Sequence, residues 1–194
     1  GGTVNTVISG LAGTITNNGT INYTNGGTLA KAITGAGTLN FNGTSKVTEN
    51  AAITQETVNV NTDLDMNAAL TATTTTVAAD KTLAITAANL ASAVTNNGTV
   101  ELGAGTLGKT VTGGTLNITG NVSSNAANIA SNTNTIATGV TLTLNGGTLA
   151  KAISGDGTVK FTAGELAADV TTATLDFDGE TVTANASNIK GYIE

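Results

Sequence analysis

Several residue types that catalysis or cross-linking depends on are missing from this chain of 194 residues, which has no cysteine, histidine, arginine, tryptophan or proline. Without cysteine there are no disulfides, thiol nucleophiles or zinc–thiolate sites, and without histidine the commonest general base is absent. A Ser-Lys pair such as Ser45 and Lys46 is conceivable, but adjacent residues in a strand point to opposite faces. The composition therefore predicts a protein that is not an enzyme.

Charge is also scarce. Charged residues make up 10% of the chain, and thirteen acidic residues against seven lysines give a net charge of −6. Nucleic acids and anionic membrane surfaces require clustered cations, so neither is an expected partner. No stretch approaches the roughly 20 apolar residues of a membrane-spanning helix. The start at Gly1 has no basic or apolar leader, and we interpret the chain as a mature form or an excerpt of a longer one.

Threonine dominates what is present, with 41 copies, and valine, isoleucine and leucine recur between them at short intervals. The β-branched side chains of threonine, valine and isoleucine fit a pleated sheet better than a helix. The absence of proline agrees, because a strand that is paired on both sides cannot spare a backbone N–H. An all-β fold is expected.

Internal repetition is the strongest signal in the sequence. The segment NGGTLAKAITGAGTLNF at 25–41 returns as NGGTLAKAISGDGTVKF at 145–161, with four positions changed. We define three related blocks, 16–41, 95–118 and 138–161, and treat residues 1–194 as one repetitive domain.

A shorter unit, Thr-aliphatic-x-apolar, lies within these blocks. Its apolar residues are two apart, so they share one strand face while the residue between them points outward. The copies lie at 20–23, 38–41, 57–60, 99–102, 115–118, 158–161 and 174–177.

These strands and their Asn-Gly or Gly-Gly corners predict a β-solenoid of roughly ten turns and roughly 50 Å, with two or three strands per turn. One or two β-sandwich domains are the alternative, since turn signals at this spacing are shared by both folds. The low aromatic content favours the thin core of a solenoid. The Ala-rich stretches 87–94, 125–131 and 185–193 are interpreted as solenoid turns rather than helices, and Thr73–Thr76 as an outward strand or loop.

The string GGTLAKAITGAGTLNFNG at 26–43 resembles the repeat of autotransporter passenger domains and, more broadly, of haemagglutinin-like bacterial surface proteins. The resemblance covers the three blocks, about half of the chain. It implies a right-handed parallel β-helix, export to the cell surface, and a role in adhesion, display or lattice formation.

Acidic residues are densest at 165–180, where Glu165, Asp169, Asp176, Asp178 and Glu180 lie. Asp176 and Asp178 share one strand face, and Asp169 is expected on a neighbouring turn. The three aspartates are therefore weak calcium candidates, while a solvated face is the plainer interpretation. No other metal or cofactor is expected.

Two further sequence patterns concern possible binding. Lys31, Lys109 and Lys151 occupy equivalent places in the repeated blocks, so we expect them to face the same way. Outward Thr-x-Thr pairs on a solenoid can bind ice, but here they occur irregularly, at 14–16, 141–143 and 181–183.

The functional hypothesis is a non-catalytic extracellular rod of a bacterial surface protein, structural or adhesive, with a host-cell or glycan surface as its partner. The alternative is a self-assembling surface-layer or filament subunit whose partner is itself, since neither end of the sequence shows an obvious cap. A polysaccharide-active β-helix enzyme and an ice-binding solenoid are less favoured.

Overall fold

The alternation of threonine and aliphatic residues produces short strands that stack turn upon turn. A computed structural model describes residues 1–7, 13–178 and 182–193, and in these ranges every strand pairing is parallel. The stack has about eleven turns. The β-solenoid prediction is confirmed, and a β-sandwich, which is built from antiparallel sheets, is excluded.

Twenty-four strands lie in the described residues. The first eight are β1 Thr3–Thr6, β2 Ile15–Thr16, β3 Thr20–Tyr23, β4 Gly27–Leu29, β5 Ile33–Thr34, β6 Thr38–Phe41, β7 Val47–Glu49 and β8 Ile53–Val60. The next eight are β9 Leu64–Met66, β10 Leu70–Val77, β11 Thr82–Thr86, β12 Val94–Asn96, β13 Thr99–Gly103, β14 Gly105–Leu107, β15 Val111–Thr112 and β16 Thr115–Ile118. The last eight are β17 Val122–Ser124, β18 Ile129–Ala130, β19 Thr133–Ile136, β20 Thr141–Leu149, β21 Ile153–Leu166, β22 Val170–Phe177, β23 Val182–Ala184 and β24 Tyr192–Ile193.

Each complete turn carries three strand positions, which we call first, second and third in chain order. In the second turn they are β2, β3 and β4, and in the third turn β5, β6 and β7. Longer strands such as β8 run around a corner and fill two positions. Residues 62–95, where the Thr-aliphatic unit fades, also form regular turns, because β9 pairs with β11 in the third position and β10 with β12 in the second.

The core consists mainly of columns of aliphatic side chains, to which each turn contributes one residue at each inward site. In the second position, Ile21, Leu39, Val58, Thr75, Val94 and Val111 stack in register and are at most 6% exposed, with Thr75 as the one polar member of this series. Each buried residue is thus covered by its counterparts in the adjacent turns. The residues between them, such as Asn22, point outward as the two-residue period predicts.

The repeated blocks do not occupy equivalent places around the coil. The Thr-Leu-Asn-Phe segment 38–41 is a second-position strand, whereas its counterpart 158–161 pairs along the first-position strands. Equivalent residues of adjacent turns are 16 to 20 residues apart, as between Thr99 and Thr115 or Val122 and Leu142. Blocks 120 residues apart are therefore offset by a fraction of a turn, because 120 is about six and two-thirds times 18.

This offset makes one prediction wrong. Lys31 lies at the corner between third and first positions, Lys109 between first and second, and Lys151 between second and third. The three lysines therefore occupy three different corners instead of facing the same way. The unit that recurs in the sequence is one strand with its corner, which is about one third of a turn. It is not a whole turn.

The Asn-Asn-Gly-Thr sequences place an asparagine inside the coil. Asn96 is 1% exposed, and its Nδ2 donates to the Thr115 carbonyl of the next turn at 2.8 Å while its Oδ1 accepts from the Gly98 N–H at 3.1 Å. Asn17 repeats both contacts, with Thr38 and Gly19, and also donates to Gln55 Oε1 at 2.6 Å. These amides join the corners of adjacent turns.

Two other details differ from or refine the sequence-based interpretation. Thr75 points inward and is fully buried, with its hydroxyl 2.8 Å from the Ser92 hydroxyl, so the Thr73–Thr76 run is not wholly outward. The Ala-rich stretches are solenoid corners, and two of them contain a single 3₁₀ turn, Ala126–Asn128 and Ala186–Asn188. In the described residues no helix has the length and apolar character needed to span a bilayer.

We expect Asn96→Ala to lower the free energy of unfolding by about 1 to 3 kcal/mol, because it leaves the Thr115 carbonyl and the Gly98 N–H without their partner. Urea denaturation followed by circular dichroism measures the change. Asn97→Ala is the matched control, since the Asn97 side chain next door is exposed. Equal destabilisation by the two variants would contradict the assigned role of Asn96.

Candidate interaction surfaces

The second-position strands of the first five turns form one surface without charge, which we call the ladder face. Its strand segments are 3–6, 20–23, 38–41, 57–60 and 74–77, and none of them contains an acidic residue or a lysine. Outward threonines and asparagines form two parallel columns. The Thr-aliphatic-x-apolar unit produces these columns because its first and third residues share the outer face.

The asparagine column is a continuous chain of amide hydrogen bonds. Asn22 Nδ2 donates to Asn5 Oδ1, Asn40 to Asn22 and Asn59 to Asn40, each at 2.7 Å. A parallel bond joins Asn61 to Asn42 at 2.7 Å. Each ladder amide of this kind keeps a second N–H and a second oxygen lone pair for other partners.

The ladder face therefore presents fixed donors and acceptors to the outside. Hydrogen bonds between turns already hold the amides in place. Binding of a partner there therefore loses less side-chain conformational entropy than binding to mobile amides would. The surface can bind through many weak polar contacts, while it supplies neither a nucleophile nor a general base.

A second feature is a shallow groove across third-position strands. In register, Asp65, Ala84 and Glu101 point outward from β9, β11 and β13, and the small Ala84 leaves a depression of about 280 Å³ between the two carboxylates. Its polar lining comes from Asp65, Asn67, Thr86, Asn89, Glu101 and Thr119.

Lysine neutralises one side of this groove. Lys46 Nζ lies 2.7 Å from Asp65 Oδ2, and this contact raises the pKa of Lys46, with smaller contributions from Asp63 and Glu101. The pair is solvent-exposed, so its effect on stability is small. The ammonium of Lys46 is thus held in its charged form, which does not suit a general base.

The acidic region of the last turns is partly neutralised in the same way. Lys160 Nζ lies 2.6 Å from Asp178 Oδ2 and 3.4 Å from Asp176 Oδ2, which confirms that these two aspartates share a face. The Lys160 contact lowers the pKa of Asp178.

The remaining acidic residues of this region are placed elsewhere. Asp169 lies at the corner before β22, Glu165 accepts a hydrogen bond from the Thr148 hydroxyl at 3.0 Å, and Glu180 lies outside the described residues. Among the described residues no three metal-ligating side chains gather at one point. Calcium binding by Asp169, Asp176 and Asp178 stays a prediction.

The Thr-x-Thr pairs do not combine into one array. Residues 14–16 lie in the second turn and 141–143 in the ninth, while Thr181 is outside the described residues. The regular threonine column of the ladder face arises instead from the Thr-x-Asn pattern.

Comparisons with protein-family models, with curated proteins and with solved structures find no match for this chain. The likeness of the 26–43 string to autotransporter passenger repeats therefore remains a resemblance of short motifs.

The sequence predicted three of the five ladder-face strands, at 20–23, 38–41 and 57–60, but not the ladder itself. The signal was present, because Thr-x-Asn recurs at 3–5, 20–22, 38–40 and 57–59 at intervals close to one turn. The groove had no comparable signal, since Asp65 and Glu101 become neighbours only through the register of three strands.

We expect Asn40→Asp to destabilise the protein at neutral pH by about 1 to 3 kcal/mol, because a carboxylate oxygen would replace the amide that donates to Asn22. The loss should diminish on acidification, as the carboxyl group protonates and regains a donor. Thermal melts between pH 3 and pH 7 measure this dependence. Asn18→Asp is the control, since Asn18 Oδ1 only accepts from the Ala36 N–H at 3.1 Å and aspartate preserves that bond.

Proposed function

We propose that this chain is a non-catalytic rod of a bacterial cell surface, extracellular, which acts as a structural and adhesive element. The observation that supports this proposal is the ladder face, an uncharged and ordered polar surface maintained over successive turns of the stack. Such a surface suits multivalent contact with another cell or with a glycan, where many weak bonds add up.

The titratable side chains on the described surfaces agree with a role outside catalysis. The lysines near carboxylates are paired, as in Lys46–Asp65 and Lys160–Asp178, and the chain offers no histidine or cysteine to act as base or nucleophile. The resemblance of the repeats to passenger domains supports the extracellular location.

Binding of the purified, fluorescently labelled chain to whole cells and to an array of immobilised glycans tests this function. We expect saturable binding that survives raised salt, because the ladder face is uncharged and Debye screening weakens only charge–charge contacts. Asn40→Asp should reduce binding, and Asn18→Asp, which adds the same charge elsewhere, should not. A chain that binds neither cells nor glycans would contradict the adhesive role.

A self-assembling filament or surface-layer subunit is the second candidate, favoured by one specific observation. Val4 and Ile193 belong to core columns, paired with Ile21 and Leu175, yet they are 51% and 53% exposed. An element that covers either column, from the same polypeptide or from another copy, would bury this apolar surface.

Electron microscopy of the purified chain across a hundredfold range of concentration distinguishes the two candidates. Head-to-tail filaments that lengthen with concentration would support the second, and Val4→Lys should then shorten them. Isolated rods at every concentration would exclude self-assembly by this chain.

A further inference from the structure

Among the residues that the structure describes, one acidic side chain lies in the core. Glu49 ends β7, where it occupies the inward column between Leu29 of β4 and Met66 of β9, and it is 0% exposed. Its Oε1 accepts from the Ala51 N–H at 2.7 Å. Its Oε2 is buried and has no hydrogen-bond partner.

Within the part of the chain that the structure describes, the groups that face Glu49 offer no counter-charge. Leu29 and Met66 are apolar, and Tyr23 of β3, which interacts electrostatically with Glu49, has a buried hydroxyl that also lacks a partner. The Tyr23 ring stacks on Phe41 of β6 at a centroid distance of 5.6 Å, within the apolar interior.

The charged residues of the adjoining strands point the other way. Lys46 and Asp65 pair with each other on the outer surface, and Glu56 of β8 is exposed. Among the described residues, Tyr23 is thus the titratable group that shares the interior with Glu49.

Ionisation of the Glu49 carboxyl is unfavourable in this buried, apolar environment. Burial raises the pKa of Glu49 from 4.5 to about 8, although the N–H groups of Ala51 and Asn50 oppose the shift. The carboxyl is therefore neutral when the turns are closed at neutral pH, whereas in an opened segment it would ionise near its ordinary pKa. Since the closed form binds the proton more tightly, raising the pH through this interval favours opening, and acid favours closure.

We propose that Glu49 is an acid-tightened latch for the N-terminal turns, which closes them when its carboxyl group is protonated and lets them open locally when it ionises. The opening is local because each solenoid turn contacts only its neighbours, so a few turns can separate while the others remain stacked. Opening of the turns before β8 would uncover the parallel edges of β8 and β9, which are templates for pairing with another strand. The latch would then couple pH to strand-mediated association.

Hydrogen–deuterium exchange of the full chain, followed by mass spectrometry and corrected for the intrinsic pH dependence, tests the latch. Between pH 5 and pH 8 we expect protection of the amides of β4 to β7 to fall about tenfold per pH unit, because one proton is released on opening. Protection of β13 to β20 should change little, which provides an internal control within the same molecule.

Two variants make the assignment specific. Glu49→Gln keeps the shape but cannot ionise, so protection of β4 to β7 should become independent of pH. Tyr23→Phe removes the unpartnered hydroxyl and keeps the carboxyl, so the pH dependence should persist. The proposal is overturned if the Glu49→Gln protein retains the parent's pH dependence, or if protection is lost equally along the whole rod.

Discussion

Backbone pairing between successive turns is the constraint on which the rest of this structure depends. Each strand in the interior of the stack satisfies its N–H and C=O groups only through the turns before and after it, as in the series β3, β6 and β8. A residue that cannot donate breaks such a ladder, and the chain contains no proline. The same pairing places like residues above one another. The aliphatic core columns and the outward amide chain are therefore two results of one geometry.

Asparagine side chains bond between turns on both the outer and the inner face of the strands, with different consequences. On the outer face, Asn40 donates to Asn22 and Asn22 donates to Asn5, each in the preceding turn. Each amide keeps a second N–H and a second lone pair for a partner. On the inner face, the Asn96 amide donates to the Thr115 carbonyl at the corner of the next turn, where an unsatisfied carbonyl would destabilise the fold. Glu49 also lies in the interior, and one of its two carboxyl oxygens has no hydrogen-bond partner. This buried carboxyl group connects the stability of its turns to pH.

The offset between the sequence repeat and the turn decides which surfaces exist. Thr-aliphatic-x-apolar units occupy the second position at 20–23, 38–41 and 57–60, the third at 99–102 and 115–118, and the first at 158–161. The outward residues of successive units stack into a column only where those units occupy the same strand position in adjacent turns. The ladder face is thus confined to the early turns, and the later units contribute to other faces, including that of Lys160 and its two aspartates.

The sequence by itself determined the solenoid, the strand-forming segments and the direction of most side chains, because a two-residue period separates inside from outside within a strand. The structure places Glu49 on the same face as the buried Val47, although its charge alone would suggest an outward position. Only the tertiary structure decided which residues are neighbours across turns: the amide ladder, the Lys46–Asp65 pair, the groove beside Ala84 and the separation of Lys31, Lys109 and Lys151. The physical reason is that corner lengths vary, so that turns span 16 to 20 residues. Alignment between turns is fixed by packing and backbone pairing, which no local pattern contains.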